Sequence, residues 1–371
     1  MPYPQFDRRQ LQIKPLQQRQ NKVDIRQDCV APDAAPRALS PAAREVVTES
    51  VERVRRARGA GRPVIMAFGA HSIKNGLGPV LIRLIAEGWV THLATNGAGI
   101  IHDWEFAFQG QSSEDVRGGV ARGEFGLWQE TGHYINLALV VGAAEGLGYG
   151  EAVGALIANE GLSIPAPEAL EAVVQALVTS DPAAAAAAAD CLTVVRAFGL
   201  PPGWLAVPHS YKAYSVQAAA YRLKVPFTGH PMFGQDIIYT HPLNNGAAIG
   251  RAAQRDFLAF AHNVSRIEDG VYLSVGSAVM SPMIFEKAFS MSQNLAVQRG
   301  APIARHFMVV VDLADVRWDW QNAGEPPQSN PAYYLRFCKT FSRLGGTMRY
   351  ASADNRDFLL ALYQGLRGRA A

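Results

Sequence analysis

The sequence predicts an α/β fold, a doubly wound parallel sheet with helices on both faces. Continuous apolar runs of strand length recur along the chain, at 63–68, 89–94, 270–275 and 307–312. Runs of this kind are typical of strands buried on both faces, as in a parallel sheet. Segments with helical periodicity alternate with these runs, and no internal repeat interrupts the order. This alternation predicts βαβ units joined by right-handed crossovers.

The elements follow one another with recognisable start and stop signals. Ser40 and Pro41 form a cap and first-turn pair for the first helix, which ends near Gly59. Polar, glycine-rich residues at 111–133 predict surface loops with a short helix, and 348–351 a last short strand. The predicted helices are 41–58, 79–87, 134–148, 149–161, 168–179, 183–189, 211–222, 247–261, 282–299, 332–344 and 354–366.

The chain divides into an N-terminal arm and one large unit. Residues 1–40 are rich in Gln and Arg and lack apolar periodicity, which predicts an extended arm. Residues 41–371 contain no linker-like segment, so we expect a single catalytic domain there. A disordered tail and an arm crossing a neighbouring subunit remain alternatives for the first segment.

Composition excludes several classes of protein. The net charge of +3 over 371 residues gives no electrostatic reason to expect nucleic acid as a partner. No apolar run is long enough to span a membrane, and the first residues lack signal-peptide features. Three widely spaced cysteines and the ligand-side histidines show no metal-binding spacing, so we expect no metal. A cytoplasmic location is the simplest expectation.

Glycine-rich turns follow several predicted strands. The first is Thr95-Asn96-Gly97-Ala98-Gly99, between the run at 89–94 and a helix near Trp104. Turns of this kind leave backbone amides free at the carboxyl end of a sheet, where ligands bind. A tight turn without a ligand is the alternative. Gly276-Ser277 and Ala353-Asp354 stand at the ends of later strands.

Together with the loops at 64–76 and 234–239, these motifs resemble the deoxyhypusine synthase family over roughly residues 60–366. The 234–239 loop is similar to the family's loop in which an aspartate precedes an apolar strand. The resemblance implies the family's doubly wound, Rossmann-like NAD-binding fold and a homotetramer with active sites between subunits. It implies NAD as cofactor, and the cofactor-binding candidates are Ser72, Thr95, Asn96, Gly97, Gly99, Gly276, Ser277, Asp312, Ala353 and Asp354.

The same resemblance implies a transferase with internal redox steps. The family oxidises the polyamine spermidine with NAD and carries an aminobutyl group as an imine on a lysine. Lys339 lies eight residues after Pro331, the family's spacing between a proline and that lysine. Asp236 matches a carboxylate that holds the cationic amine.

Several polyamine-binding positions depart from the family's pattern. His102 stands where the family has a glutamate, and Pro231 where it has an aspartate. A triamine without those anions would leave ammonium groups unpaired in a buried pocket. We therefore expect a small amine other than spermidine as substrate. Lys339 would form the imine, His102 would move protons and Asp236 would bind the cation.

Each candidate also has an alternative structural interpretation. Lys339 can be a solvated lysine, Asp236 a turn cap, and His102 with Asp103 helix-capping groups instead of an acid/base pair. Two further functions follow from these alternatives. One is an NAD-dependent amine or alcohol oxidoreductase without a covalent intermediate. The other is a catalytically silent, NAD-binding tetrameric paralogue.

Overall fold

A computed structural model of the protein describes residues 3–315, 318–320 and 322–368. Its strands are β1 Asn21–Asp24, β2 Val64–Phe68, β3 His92–Thr95, β4 Gln111–Glu114, β5 Gly161–Ile164, β6 Gly203–Ala206, β7 Phe227–Gly229, β8 Val271–Val275, β9 Phe307–Asp312 and β10 Thr347–Ser352. Its α-helices are α1 Ile25–Asp28, α2 Pro41–Gly59, α3 Ala70–Lys74, α4 Gly78–Ala86, α5 Gly97–Gln109, α6 Val116–Ala121, α7 Gln129–Glu145, α8 Tyr149–Asn159, α9 Pro167–Leu177, α10 Pro182–Ala197, α11 Val216–Leu223, α12 Gly246–Val264, α13 Met280–Gln298, α14 Arg336–Ser342 and α15 Asn355–Leu366.

Six parallel strands form the central sheet, in the order β10-β9-β8-β2-β3-β7. The first strand of this sheet, β2, lies in its middle, and the chain builds outward first through β3 and β7. It then returns to the other side of β2 and continues through β8, β9 and β10. The carboxyl ends of β2 and β8 therefore flank the point where the strand order reverses, which is where ligands bind in open α/β sheets.

Strand β2 shows why the sheet is covered on both sides. Val64, Met66 and Phe68 belong to one apolar core, whereas Ile65 and Ala67 belong to a second. Successive side chains of a strand point to opposite faces, so each face has its own core. Helices α2 and α15 pack against one another and against the sheet, and α12 packs with α13 beside β3. The predicted α/β architecture, a parallel sheet flanked by helices, is confirmed.

Two antiparallel strand pairs were not expected from the sequence. β1 of the N-terminal segment pairs with β4, within the region where only loops and a short helix were predicted. β5 pairs with β6 next to α9 and α10. Strands of four residues with little alternation give no clear period, which explains why both pairs were missed. The division into an arm and a single domain stays a prediction.

Some predicted helices differ in their limits. The segment expected as one helix at 211–222 is a 3-10 helix, Lys212–Tyr214, followed by α11, because Ser215 caps the second piece. The segment at 332–344 divides similarly into a 3-10 helix, Pro331–Tyr334, and α14. The apolar residues after Asp236 form a 3-10 helix, Ile237–Thr240, and not a strand. The alanine-rich helix extends well past its predicted end.

Among the described helices, none alone has the length and apolar character needed to cross a membrane. Helices α7 and α8 have the required length and apolar character only when they are taken together, and the chain bends by 111° between them.

Candidate functional site

The turn after β3 is held by hydrogen bonds of its own residues. Helix α5 begins at Gly97, earlier than the predicted start near Trp104, because the Asn96 side chain accepts a hydrogen bond from the Gly99 amide at 2.9 Å. The Thr95 hydroxyl donates to the Phe68 carbonyl at 2.9 Å. A Cβ on Gly99 would lie 2.2 Å from that hydroxyl oxygen. Thr95, Asn96 and Gly99 thus fix the helix against the sheet.

Asp236 lies against the first residue of α5. A Cβ on Gly97 would lie 2.0 Å from Asp236 Oδ2, so only glycine admits the carboxylate at this distance. Oδ2 is buried and has no hydrogen-bond partner in the described chain. Burial raises the pKa of Asp236 to about 6. The structure thus holds a desolvated carboxylate at a helix N-terminus without using it in the fold.

Two cavities meet at Asp236. The larger has a volume of about 310 Å³, at the lower end of the range for small-molecule sites, and Lys74, His102 and Glu114 also line it. The smaller, of about 160 Å³, extends past Asn96 and Gly97 to His230. Both lie at the carboxyl ends of β3 and β7. We define the larger of them as the candidate active-site cavity.

His102 presents one ring nitrogen to this cavity. Its Nδ1 lies 2.7 Å from the Ser112 hydroxyl oxygen, and Nε2 has no hydrogen bond to any described residue. Burial lowers the pKa of His102, so the ring is neutral near pH 7. A neutral imidazole with a free nitrogen at a cavity wall can accept a proton.

Asp103 does not act with His102. Its buried carboxylate accepts hydrogen bonds from the Ser215 hydroxyl at 2.7 Å and the Val216 amide at 2.9 Å. These bonds attach α5 to the start of α11. The expectation that these two residues cap a helix is wrong as well, since α5 begins at Gly97.

At the reversal point of the sheet, the turns after β2 and β8 touch. A Cβ on Gly69 would lie 2.0 Å from the Gly276 carbonyl oxygen, and Gly276 has a φ of 58°. The Asn355 amide, at the start of α15, lies 3.4 Å from the buried Ser72 hydroxyl oxygen and borders Gly276. Ser72, Gly276 and Asn355 thus converge at this crevice, and Asn355 was not predicted.

The other proposed cofactor residues lie at neighbouring strand ends. Ser277 Oγ accepts from the Ser281 amide at 3.1 Å, and Asp312 Oδ1 accepts from the Ala314 amide at 3.0 Å. Asp354, directly after Ala353, caps α15 through the Arg356 amide. The carboxylates and the Asn355 amide suit the hydroxyl and amide groups of a dinucleotide. The glycine-rich turn at 95–99 lacks the G-x-G-x-x-G pattern of dinucleotide-binding folds. Only isolated backbone amides would therefore contact the pyrophosphate of the dinucleotide.

Lys339 lies on α14, apart from the walls of both cavities at Asp236. Its Nζ is 3.4 Å from Glu325 Oε1 and 3.5 Å from the centre of the Tyr333 ring. The side chain is largely buried, and it is engaged with an anion and an aromatic face. Its role as an imine-forming residue stays a prediction.

Besides Asn355, further residues of the site were missed. Lys74, Ser112, Glu105 and Arg19 line the cavity or contact His102 through hydrogen bonds. Glu105 lies three residues after His102 on α5, and this helical spacing could have indicated it. Arg19 comes from the N-terminal segment, where no local pattern indicates its partner. In the described parts of the chain, no group of three or more His, Cys, Asp or Glu could hold a metal ion.

No family model matches this chain, and no curated protein does. Among solved structures, it is similar to AgrE in a ternary complex with ornithine and NAD⁺, at 16% identity and a TM-score of 0.43. The match covers 89% of this chain and 34% of AgrE. ArgZ, an arginine dihydrolase from the ornithine–ammonia cycle in cyanobacteria, matches at 15% identity and a TM-score of 0.39. This match covers 88% of this chain and 33% of ArgZ. A conserved putative LOR/SDH protein from Methanococcus maripaludis S2 matches at 11% identity and a TM-score of 0.42. This match covers 91% of this chain and 70% of that protein.

The chain spans about a third of the length of AgrE and ArgZ. These matches correct one expectation: the resemblance to deoxyhypusine synthase is wrong, because the neighbours are AgrE, ArgZ and a LOR/SDH protein. Spermidine chemistry and the homotetramer were inferred from that resemblance alone and lose their basis.

Proposed function

We propose that this chain is an NAD-dependent oxidoreductase that acts on a small amine in the cavity beside His102 and Asp236. One observation carries the proposal. A neutral imidazole with a free nitrogen and a half-buried carboxylate whose buried Oδ2 has no partner in the described chain line the same cavity, at the carboxyl edge of the sheet. The carboxylate suits an ammonium group, and the imidazole suits the proton that this group must lose.

The charges of the cavity support an amino acid as the amine. Lys74 lines the same cavity as Asp236 and has no hydrogen bond or ion pair to a described residue. A zwitterion would place its ammonium at Asp236 and its carboxylate at Lys74, which would satisfy both charges. A simple diamine would satisfy only the first. Ornithine and arginine, the ligands of AgrE in its crystals, are therefore reasonable members of a first substrate panel.

The proposed reaction requires a proton and a hydride to leave the amine. His102 Nε2 would take a proton from the ammonium, which restores the nitrogen lone pair. Oxidised nicotinamide, when bound, supplies the acceptor for the hydride that leaves the adjacent carbon. The substrate is then an iminium cation, and Asp236 would stabilise the positive charge that develops on it. Water can hydrolyse the iminium to a carbonyl compound and ammonium.

The dinucleotide would be held at the crevice between the ends of β2 and β8. Ser72, Gly276 and Asn355 converge there, and Asp312 and Asp354 stand at the next strand ends. Their carboxylates and amide would bind ribose hydroxyl and carboxamide groups. The sheet order, with its reversal at this crevice, is that of dinucleotide-binding α/β folds.

We favour a mechanism without a covalent intermediate. Lys339 forms an ion pair with Glu325 and lies over the Tyr333 ring. A lysine nucleophile must instead be free and face the substrate. The Lys339→Met protein should therefore keep its turnover, and borohydride should trap no adduct at this residue.

The test is to mix the purified protein with NAD⁺ and a panel of amines, and to follow reduced nicotinamide by absorbance. The panel contains ornithine, lysine, arginine, the amines formed by their decarboxylation, and simple alcohols. We expect turnover with an amino acid, and a loss of about 100-fold in His102→Gln. His133→Gln, which changes a histidine outside the cavity, is the control. Failure to bind NAD⁺, or full turnover by His102→Gln, would contradict the proposal.

A further inference from the structure

A buried chain of hydrogen bonds extends from His102 to the N-terminal segment. Glu105, only 1% exposed, receives two bonds from the Arg19 guanidinium, at 2.7 and 2.6 Å. The Thr131 hydroxyl donates to Oε1 at 2.9 Å, and the Ser112 hydroxyl to Oε2 at 2.6 Å. Ser112 Oγ also lies 2.7 Å from His102 Nδ1. Of these residues, Arg19, Glu105 and His102 line the candidate active-site cavity.

The charges fix the direction of each bond. Burial alone raises the pKa of Glu105, but the Arg19 charge and hydrogen bonds outweigh it, so the pKa of Glu105 is lowered and the group is ionised. An ionised carboxylate can only accept, so Ser112 must give its single hydroxyl proton to Glu105. Ser112 Oγ is then an acceptor toward the imidazole. Nδ1 must carry the proton, and Nε2 keeps its lone pair for the cavity.

We infer that Ser112, Glu105 and Arg19 are positioning residues that hold His102 in its Nδ1-protonated tautomer with Nε2 directed to the substrate. The inference rests on the proposed function for the role of His102 as the base. It adds that the base depends on a residue of the N-terminal segment, 86 positions from Glu105 in the sequence. In metal and triad sites, a second hydrogen bond fixes the imidazole tautomer in the same way.

Other charged groups near His102 do not set its tautomer. Lys74, His71 and Arg19 face the ring and oppose its protonation, whereas Glu105 favours it. None of them is hydrogen-bonded to the imidazole directly. Ser112 is the single described residue bonded to the ring, so its replacement isolates the effect.

The test reads the tautomer by NMR of ring-¹⁵N histidine in the full-length protein without ligands. The His102 signals are those missing from the spectrum of His102→Gln. We expect a protonated Nδ1 in the wild type and a shift toward protonated Nε2 in Ser112→Ala. In Glu105→Gln the side-chain amide can donate to Ser112, so the serine proton turns to Nδ1 and the tautomer should reverse.

Turnover provides a second measurement. Ser112→Ala should lower kcat about 10–100-fold with little change in KM, since the base is misdirected and substrate contacts remain. Ser112→Thr keeps the hydroxyl and should recover most of the rate. Ser292→Ala is the control, because its buried hydroxyl only bonds within α13. Should Glu105→Gln fail to fold with Arg19 unpaired, the Glu105→Gln/Arg19→Met protein removes both charges.

The outcomes separate this inference from the proposed function. A protonated Nε2 in the wild type, or an unchanged tautomer in Ser112→Ala, would overturn the inference whatever the turnover. The expected tautomers without any NAD-dependent turnover would sustain the positioning of the ring and refute only the proposed reaction.

Discussion

Two aspartates, buried Asp256 and half-buried Asp236, each place a carboxylate against a helix N-terminus, and their hydrogen bonding differs. Asp256 of α12 lies at the start of α8, where a Cβ on Gly148 would be 1.9 Å from its Oδ1. Its Oδ2 accepts bonds from the Gly150 amide at 2.8 Å and the Gly229 amide at 2.6 Å. Asp236 lies similarly close to Gly97 at the start of α5, but its carboxylate accepts no hydrogen bond from the described chain.

The contrast distinguishes a carboxylate that the fold uses from one that the described chain leaves without a hydrogen bond. Burial raises the pKa of both groups, to about 7 for Asp256 and about 6 for Asp236, so both have lost solvation. Asp256 recovers part of that loss through two backbone amides that join α8 to β7 and α12. Asp236 recovers nothing within the described protein. A desolvation cost that no interaction within the fold offsets is typical of functional sites.

The largest expected effect follows from neutralising the unpaired aspartate. Asp236→Asn keeps the shape of the side chain but removes the charge that would hold an ammonium group. We expect kcat/KM for the amine to fall about 100-fold or more, as for the loss of a buried charge partner. Steady-state kinetics with the best amine of the panel measure this. Asp33→Asn, an exposed change, is the control, and an unchanged kcat/KM would remove Asp236 from the site.

A matched pair of glycine substitutions then compares the two helix starts. Gly148→Ala would push Asp256 off both amides, and we expect a loss of about 2–3 kcal/mol in the free energy of unfolding. Gly97→Ala would displace a side chain that holds no hydrogen bonds, so the loss should be about 1 kcal/mol or less, while amine turnover falls. Urea unfolding of both variants measures the difference. Equal losses would mean that Asp236 also supports the fold.

The smallest effect concerns the pH dependence of stability. The pKa of Asp236 is higher in the folded chain, about 6, than its ordinary value of 3.8, so the folded state binds the proton more tightly. This group therefore contributes stability below about pH 4, which is lost as the pH rises through 6. Asp236→Asn should be more stable than the wild type by roughly 1–2 kcal/mol above pH 7, and equal to it near pH 3.5.

Thermal unfolding across this pH range checks the prediction. Asp256 titrates in both proteins, so its contribution cancels in the comparison. A difference that persists at pH 3.5 would show that the asparagine acts through packing or hydrogen bonds and not through charge.

The sequence was sufficient where the physical signal is local. The apolar runs of β2, β8 and β9 predicted buried parallel strands, and they form the centre of the sheet. His102 and Asp236 were selected from separate loops, and they line one cavity.

The features that the sequence did not predict depend on contacts between distant segments of the chain. The Arg19–Glu105 pair and the β1–β4 pairing join the first residues to the middle of the chain, and no periodicity reports such pairing. That Nε2 of His102 is free follows from the contact between Nδ1 and Ser112, which only the folded structure shows. The deoxyhypusine synthase assignment failed because short glycine turns recur in many α/β proteins and identify no particular reaction.

The buried Arg19–Glu105 ion pair also constrains how the protein unfolds. Withdrawal of the N-terminal segment would leave a carboxylate without its counter-ion in the interior, at a cost of several kcal/mol. Local fraying of this segment is therefore suppressed, and its release is coupled to loosening of the core around α5. A protease that cuts near Arg19 would therefore report cooperative opening of the core around α5, because Arg19 itself is buried there.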